Sequence, residues 1–295
     1  MNKIQVSFDF ETYSECDLKE CGAWVYSQHP STEVICMAYA YCGKPPVLWL
    51  PGDEVPYFMT DIKWKQAESH GLYLLKAWNS FFEYAIMKNT MGIEPPPLCN
   101  WEDTMAIAAA MGLPSGLGDA ANVLQLEDGK DKRGKKLIQL LSVPQKSTKN
   151  QIKAGAPEFY RNRDPLLLEE LYEYCKQDAR VEQAISKKLL HLNPTERELW
   201  ELDQEINIRG IQVDSDMIDH CIAIYEGQNE VTFKKLQEMS GLDNPNSGKQ
   251  FLPWLQSIGY TEDNLKADTL KEFLKRMNGE QSTSEESDWA ENILG

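Results

Sequence analysis

The sequence predicts an α/β domain followed by a smaller all-helical region. Three observations carry that expectation. From residue 1 to about 192, short apolar segments with strand character alternate with helix-patterned segments. From Thr195 onward the apolar spacing is helical. Between the two, the stretch 191–195 with Pro194 reads as a boundary, dividing the chain into 1–192 and 193–295. The 295 residues are enough to bury a sizeable core, and no internal repeat is visible.

The elements follow in order. Residues 3–10 form a short apolar run with period-two character, a strand. Residues 33–42 (EVICMAYAYC) give a second strand, and 46–50 a third, stopped by Pro51 and Gly52. Residues 72–78 (LYLLKAW) read as a buried strand, and 80–91 as a helix with Phe81, Phe82 and Ile86 among its core candidates. Three prolines at 95–97 precede a short strand at 98–101, and helices are expected at 104–111 and 117–124. The segment 130–163 is polar and carries Gly134, Pro144, Gly155 and Pro157, the composition of an ordered loop or mobile arm. Helices are then expected at 165–192 and 195–209, with Thr195 as N-cap and Glu198 at the capping-box position. Further helices are expected at 216–239, 247–258 and 267–277. The acidic, serine-rich tail from Gly279 reads as a frayed end.

Charge and composition narrow the function. There are 30 Lys plus Arg against 46 Asp plus Glu, a net charge of −16, which taken alone argues against a phosphate-binding surface. The charge is uneven, however. Ten lysines and arginines against two acids give residues 130–163 a charge of +8, leaving −24 for the rest. The seven cysteines have no CxxC spacing and the four histidines no HExxH, so neither a disulfide framework nor a zinc site is expected. A metal would be held through oxygen, as Mg²⁺ or Mn²⁺ are. No apolar run is long enough to span a membrane and no secretory leader is visible, so a cytoplasmic protein is expected.

Carboxylates in three places invite chemistry. Asp9 and Glu11, in FDFET, are two apart on a strand and therefore share a face. Two such groups beside Val6, Phe8 and Phe10 repel each other and resist desolvation, and a bound cation relieves both costs. Glu83 sits early in the helix after a buried strand, where the helix dipole also favours an acid. Asn79 precedes it as a candidate cap or turn residue. Tyr174 and Asp178 are four apart and share a helix face with Val181 and Ile185. Four carboxylates and a tyrosine suit a pair of Mg²⁺ ions holding a phosphate.

In that order and spacing these segments resemble the motifs of the DEDD-type 3′–5′ exonucleases, in the variety with tyrosine in the third motif. The chain looks most like the proofreading domain of phage-type family A DNA polymerases. The first motif is Asp9-Phe10-Glu11-Thr12, the second Asn79 with an acid four residues later, and the third Tyr174-x-x-x-Asp178. The segments WEDTMAIAAAMGLPSGLGDAANVL and KDKRGKKLI also look like that group, so the resemblance covers roughly 4–190. Residues 196–214 and 246–260 look like the start of the polymerase portion and its early thumb region. Nothing resembles palm or fingers, so no polymerase activity is expected of this chain, which is either a naturally short product or a fragment. The sequence departs from the family where the second motif has Glu83 in place of the usual aspartate, and Trp78 in place of a frequent histidine.

The resemblance implies a ribonuclease H-like mixed sheet flanked by helices. It also implies metal-dependent hydrolysis of the 3′-terminal phosphodiester of single-stranded DNA, releasing 5′-mononucleotides. Asp9, Glu11 and Asp178 would hold one metal. Asp9 would bridge to a second, served by Glu83, and Tyr174 would orient the attacking water with help from Glu11. A phenol pKa near 10 makes Tyr174 itself a poor base. Asp103 and Thr104 would brace the site. The strand's bases would stack on apolar or aromatic residues, with Phe10, Phe82 and Trp78 as candidates and Trp78 the better core residue. Thr12 and Asn79 would also meet the nucleic acid. Lys132, Arg133, Lys135 and Lys136 would track its phosphates. Two other readings stay open: an RNA exonuclease of the same superfamily, and an inactive exonuclease fold docking to a separate polymerase chain.

Overall fold

Alternating β-branched, aromatic and polar residues in IQVSFDFETY form β1 (Ile4–Tyr13), which ends three residues beyond the expected run. In the computed structural model, which describes residues 3–60, 72–126 and 133–279, β1 is the centre of a five-stranded sheet. β2 (Glu33–Tyr41) pairs antiparallel with β1, and β3 (Val47–Trp49) antiparallel with β2. On the other side β4 (Tyr73–Ala77) and β5 (Trp101–Asp103) run parallel, giving the order β3-β2-β1-β4-β5. This mixed sheet flanked by helices, with a helical C-terminal region, is the architecture the sequence predicts and is compatible with a ribonuclease H-like fold.

One face of β1 sends Val6, Phe8 and Phe10 into the larger core, which α1 (Leu18–Gln28), α2 (Tyr57–Thr60) and α3 (Ser80–Ala85) help to close. α3 continues into a π-helical turn, Ile86–Thr90, that supplies Ile86 and Met87 to this core. α1 was not expected from the sequence. Its apolar pattern is weak, and Gly22, at φ 74°, interrupts its helical geometry. The strand expected at 98–101 is instead a 3₁₀ turn, Leu98–Asn100, leading into β5, because the Asn100 amide turns back to the Pro97 carbonyl at 2.8 Å rather than to a neighbouring strand.

The other face carries α4 (Thr104–Ala110), α5 (Leu117–Val123) and, from the basic segment, a helix whose leucines bury there. From Arg133 onward that segment is folded. It contains α6 (Gly134–Leu141), the hairpin β6 (Gln145–Lys146) and β7 (Phe159–Tyr160), and α7 (Lys149–Lys153). Leu137 and Leu141 bury against the sheet side, and a Thr148–Gln151 capping box starts α7. α8 (Pro165–Ser186) follows, started by the Asp164 cap and Pro165 and ending before the expected 192. α9 (Pro194–Arg209) is capped by Asn193, whose side chain accepts from the Glu196 amide. Asn193 therefore has the role expected of Thr195, because Pro194 already occupies the first helical position.

The chain divides into two compact units, Met1–Ile211 and Gln212–Gly295, later than the expected break at 192/193. α9 stays with the first unit. Arg197 donates to the Leu98 carbonyl and stacks over Trp200, which packs against the larger core. The second unit contains α10 (Ser215–Ser240), α11 (Gly248–Ser257) and α12 (Ala267–Gly279), with a small core of Leu255, Tyr260 and Phe273. Among the described residues no helix is long and apolar enough to cross a membrane.

Candidate active site

The site lies where α8 crosses β1. Cys36 and Ala38 on β2 are the ladder partners of Glu11 and Asp9. Cys175 and Ala179 on α8 pack directly onto them, and all four are buried. Small residues on both sides let the helix lie close to the sheet. Tyr174 and Asp178 flank that contact and are thereby carried over the strand carboxylates. The Cys175 thiol donates toward the Asp9 backbone oxygen at 3.4 Å and lies 3.6 Å from its Oδ2. Burial first, then a hydrogen bond with Cys36, holds that thiol well above its ordinary pKa, so it acts as a neutral donor.

The electrostatics join the three motifs. Tyr174 is 2% exposed and hydrogen-bonds with Asp178. Burial, then the charge of Asp178, then those of Glu11 and Asp9 push its phenol far above the usual value. It is a donor at any ordinary pH, as expected from the sequence. Glu83 is 2% exposed. Burial first, then Asp9, with smaller contributions from Asp103 and Glu182, raises its carboxyl well above the normal carboxylate range. Its Oε2 is buried with no hydrogen-bond partner among the described residues.

These observations bear on whether a metal suits the residues. The donors are oxygens, which match Mg²⁺ or Mn²⁺. The orphaned Glu83 oxygen and its repulsion by Asp9 are what a cation would relieve. Among the described residues no three ligating side chains already close into a cage.

Beneath the acids lies a brace that the sequence only partly announces. Asp103 Oδ2 accepts from the Ser80 amide at 2.9 Å and from its hydroxyl at 3.0 Å, while Oδ1 accepts from the Ala106 amide at 2.9 Å. One carboxylate thus caps the starts of both α3 and α4. It has the capping role considered for Asn79, which stands exposed in the left-handed region (φ 67°) with no side-chain cap bond. Thr104 donates to Glu182, which also bonds Ser7. Glu182 was not expected, although it lies one turn beyond Asp178 on the same helix face. Lys76 pairs with Glu102 at 2.5 Å, also buried.

The residues expected to meet nucleic acid are placed unevenly. Phe10 is 4% exposed, its ring edge-on to Phe8 at 5.7 Å, so it has no open face for a base. Its alternation on β1 points it into the larger core, away from the acids. Phe82 is partly buried against Tyr26, and the Thr12 hydroxyl bonds the Tyr26 hydroxyl at 2.8 Å. The Trp78 indole donates to the Ser115 carbonyl, a packing role. Asn79, Lys135 and Lys136 are exposed, and Arg133 lies 3.6 Å from Glu170. Lys132 lies outside the described residues. A cleft of about 670 Å³ opens beside the end of β1, lined by Tyr13, Phe159, Tyr160 and Arg161. Phe159 is 54% exposed, and the Arg161 guanidinium lies 4.5 Å from the Tyr13 ring centre. These aromatics were not singled out in the sequence, because the hairpin that presents them falls in the polar basic segment.

The chain is similar to the DNA polymerase of Bacillus phage SP02. The two are 34% identical over 281 residues, 93% of this chain and 42% of the polymerase. The chain therefore spans about two-fifths of the length of the relative it matches. No family model matches it. The matched stretch is long enough to take in most or all of the sheet, the carboxylates and both compact units.

Proposed function

We propose that this chain is the 3′–5′ exonuclease part of a DNA polymerase, removing 5′-mononucleotides from the 3′ end of single-stranded DNA. One observation carries the reading: acids from three distant segments, Asp9 and Glu11, Glu83, and Asp178 with Tyr174, act on one another electrostatically at the β1–α8 crossing. The similarity to a phage DNA polymerase supports DNA as the substrate.

Asp9, Glu11, Asp178 and Glu83 are the residues that would hold two Mg²⁺ or Mn²⁺ ions, which when bound would lower the pKa of a water and stabilise the leaving 3′-oxygen. The chain's own groups do the rest. Tyr174, kept protonated, orients the attacking water, and Glu11 assists in taking its proton. Cys175 restrains Asp9, while Asp103 and Thr104 hold the surrounding helix starts and Glu182. Water adds across the phosphorus–O3′ bond, leaving a 3′-hydroxyl on the shortened strand. Lys135 and Lys136 offer charge to the backbone, and Phe159 and Tyr160 offer ring faces to unpaired bases.

The test is degradation of a 3′-labelled DNA oligonucleotide, beside its RNA counterpart, with Mg²⁺ or Mn²⁺ and with a chelator. Metal-dependent shortening of DNA is expected, lost in Asp178→Ala and in the pair Asp9→Ala/Glu11→Ala. Full activity in those variants would refute the site, and faster loss of RNA would refute the DNA assignment. A second reading is an inactive exonuclease fold docking to a separate polymerase chain. It is favoured by α10, which buries none of its residues and exposes Ile222, Ile224 and Tyr225. An intact oligonucleotide, with Mn²⁺ bound at no more than one site, would favour it.

A further inference from the structure

We propose that Gly134 is a positioning residue for Tyr174. It has no side chain because the tyrosine ring occupies that space. A Cβ built on Gly134 would lie 2.0 Å from Cε2 of Tyr174, 2.4 Å from Cζ and 2.7 Å from Cδ2. No real carbon–carbon contact tolerates such distances. The atoms met first are those at the hydroxyl end of the ring, and Gly134 itself is buried.

Backbone conformation does not account for this glycine. Gly134 is not among the residues with positive φ, and it stands at the first position of a helix, where any residue with ordinary φ fits the backbone. The steric contact is the remaining reason. The ring has little freedom to retreat. Leu137 and Leu141 of α6 belong to the same buried cluster as Tyr174, with Tyr13, Ile35 and Leu171 closing it. The ring therefore lies between its own helix, the sheet and α6. The place of Gly134 decides how far its hydroxyl reaches toward Asp178. The same helix carries Lys135 and Lys136 on its exposed side, so the element that seats the phenol also faces the solvent with positive charge.

The kinetic consequence rests on the exonuclease reading, whereas the contact does not, and the experiment separates the two. Gly134→Ala should lower kcat on single-stranded DNA by about 100-fold, the scale of an ångström-sized misplacement. KM should stay within about twofold, since the loss falls on the reacting geometry. In a Tyr174→Phe background, which already lacks the hydroxyl, the same change should alter kcat by no more than about twofold. An equal loss in both backgrounds, or a loss confined to KM, overturns the proposal. Should Gly134→Ala fold too poorly for kinetics, thermal denaturation reads the contact. Gly134→Ala should lower Tm in the otherwise unchanged chain and not in Tyr174→Ala, where the ring is gone. Equal Tm losses in both overturn the proposal. A chain that folds, binds no metal and degrades nothing overturns the exonuclease reading instead, and the denaturation pair still decides the contact.

Discussion

Glu83→Gln should make the metal-free protein more stable and at the same time blunt its response to metal. The carboxylate is fully enclosed, repelled by Asp9, and has an oxygen with no partner among the described residues. Glutamine keeps the shape but removes the buried charge and its repulsion, and stranding a charged acceptor costs at least about 1–3 kcal/mol. For a unit of this size each kcal/mol moves Tm by roughly 2–4 °C, so a gain of about 2–12 °C is expected in chelator. The pH dependence has a definite sign. Because the folded pKa of Glu83 is raised, the stability linked to its protonated form is complete below the unfolded value near 4.3 and is lost as pH rises through the folded one. The variant should therefore lead wild type most at pH 8 and match it near pH 4. Mn²⁺ at one hundred times its Kd should raise the stability of wild type by about 2.7 kcal/mol, and that of the variant by less. Calorimetry with and without Mn²⁺ reads all of this. A lower Tm for the variant in chelator, or an undiminished Mn²⁺ gain, would refute the account of Glu83 as an acid waiting for a cation.

Other expectations are simpler to read. Neutralising Lys135 and Lys136 should weaken single-stranded DNA binding and flatten its dependence on salt, by roughly 0.7 in the log–log slope for each phosphate no longer neutralised. A titration series at several salt concentrations checks this. Phe159→Ala should raise KM for DNA by about 5–150-fold, the loss of one base stacked on the exposed ring at about 1–3 kcal/mol, and should leave Tm nearly unchanged. Asp103→Ala removes caps from two helix starts and should cost about 2–3 kcal/mol in urea denaturation, at about 1 kcal/mol per cap plus the stranded Ser80 hydroxyl.

The strand acids were legible because period-two alternation needs no knowledge of the rest of the chain. Asp9 and Glu11 share a face in the structure just as the spacing requires. The i, i+4 spacing of Tyr174 and Asp178 was legible for the same reason. What stayed hidden was long-range. The Asp103 cap on Ser80 joins residues 23 apart, and Thr104 reaches Glu182 across 78 residues. No local pattern encodes such pairs. The basic segment was misjudged because its glycines and prolines outweigh a short amphipathic helix, α6, whose leucines find their partners only in tertiary packing. Phe10 is a stacking candidate by its ring and its place in the first motif, but the alternation that aims the acids at α8 sends it the opposite way.

The seam of small residues beneath α8 acts as a spacer whose thickness is set by a few methyl groups and thiols. Ala38 and Ala179 never meet a substrate in this picture, yet a single enlargement there, such as Ala179→Val, would jack the helix away from the sheet at a cost of about 1–3 kcal/mol. Tyr174 and Asp178 would travel with it. The spacing of the buried acids can therefore drift through changes that look conservative and touch no charged group, and residues with the plainest side chains become the most tightly constrained.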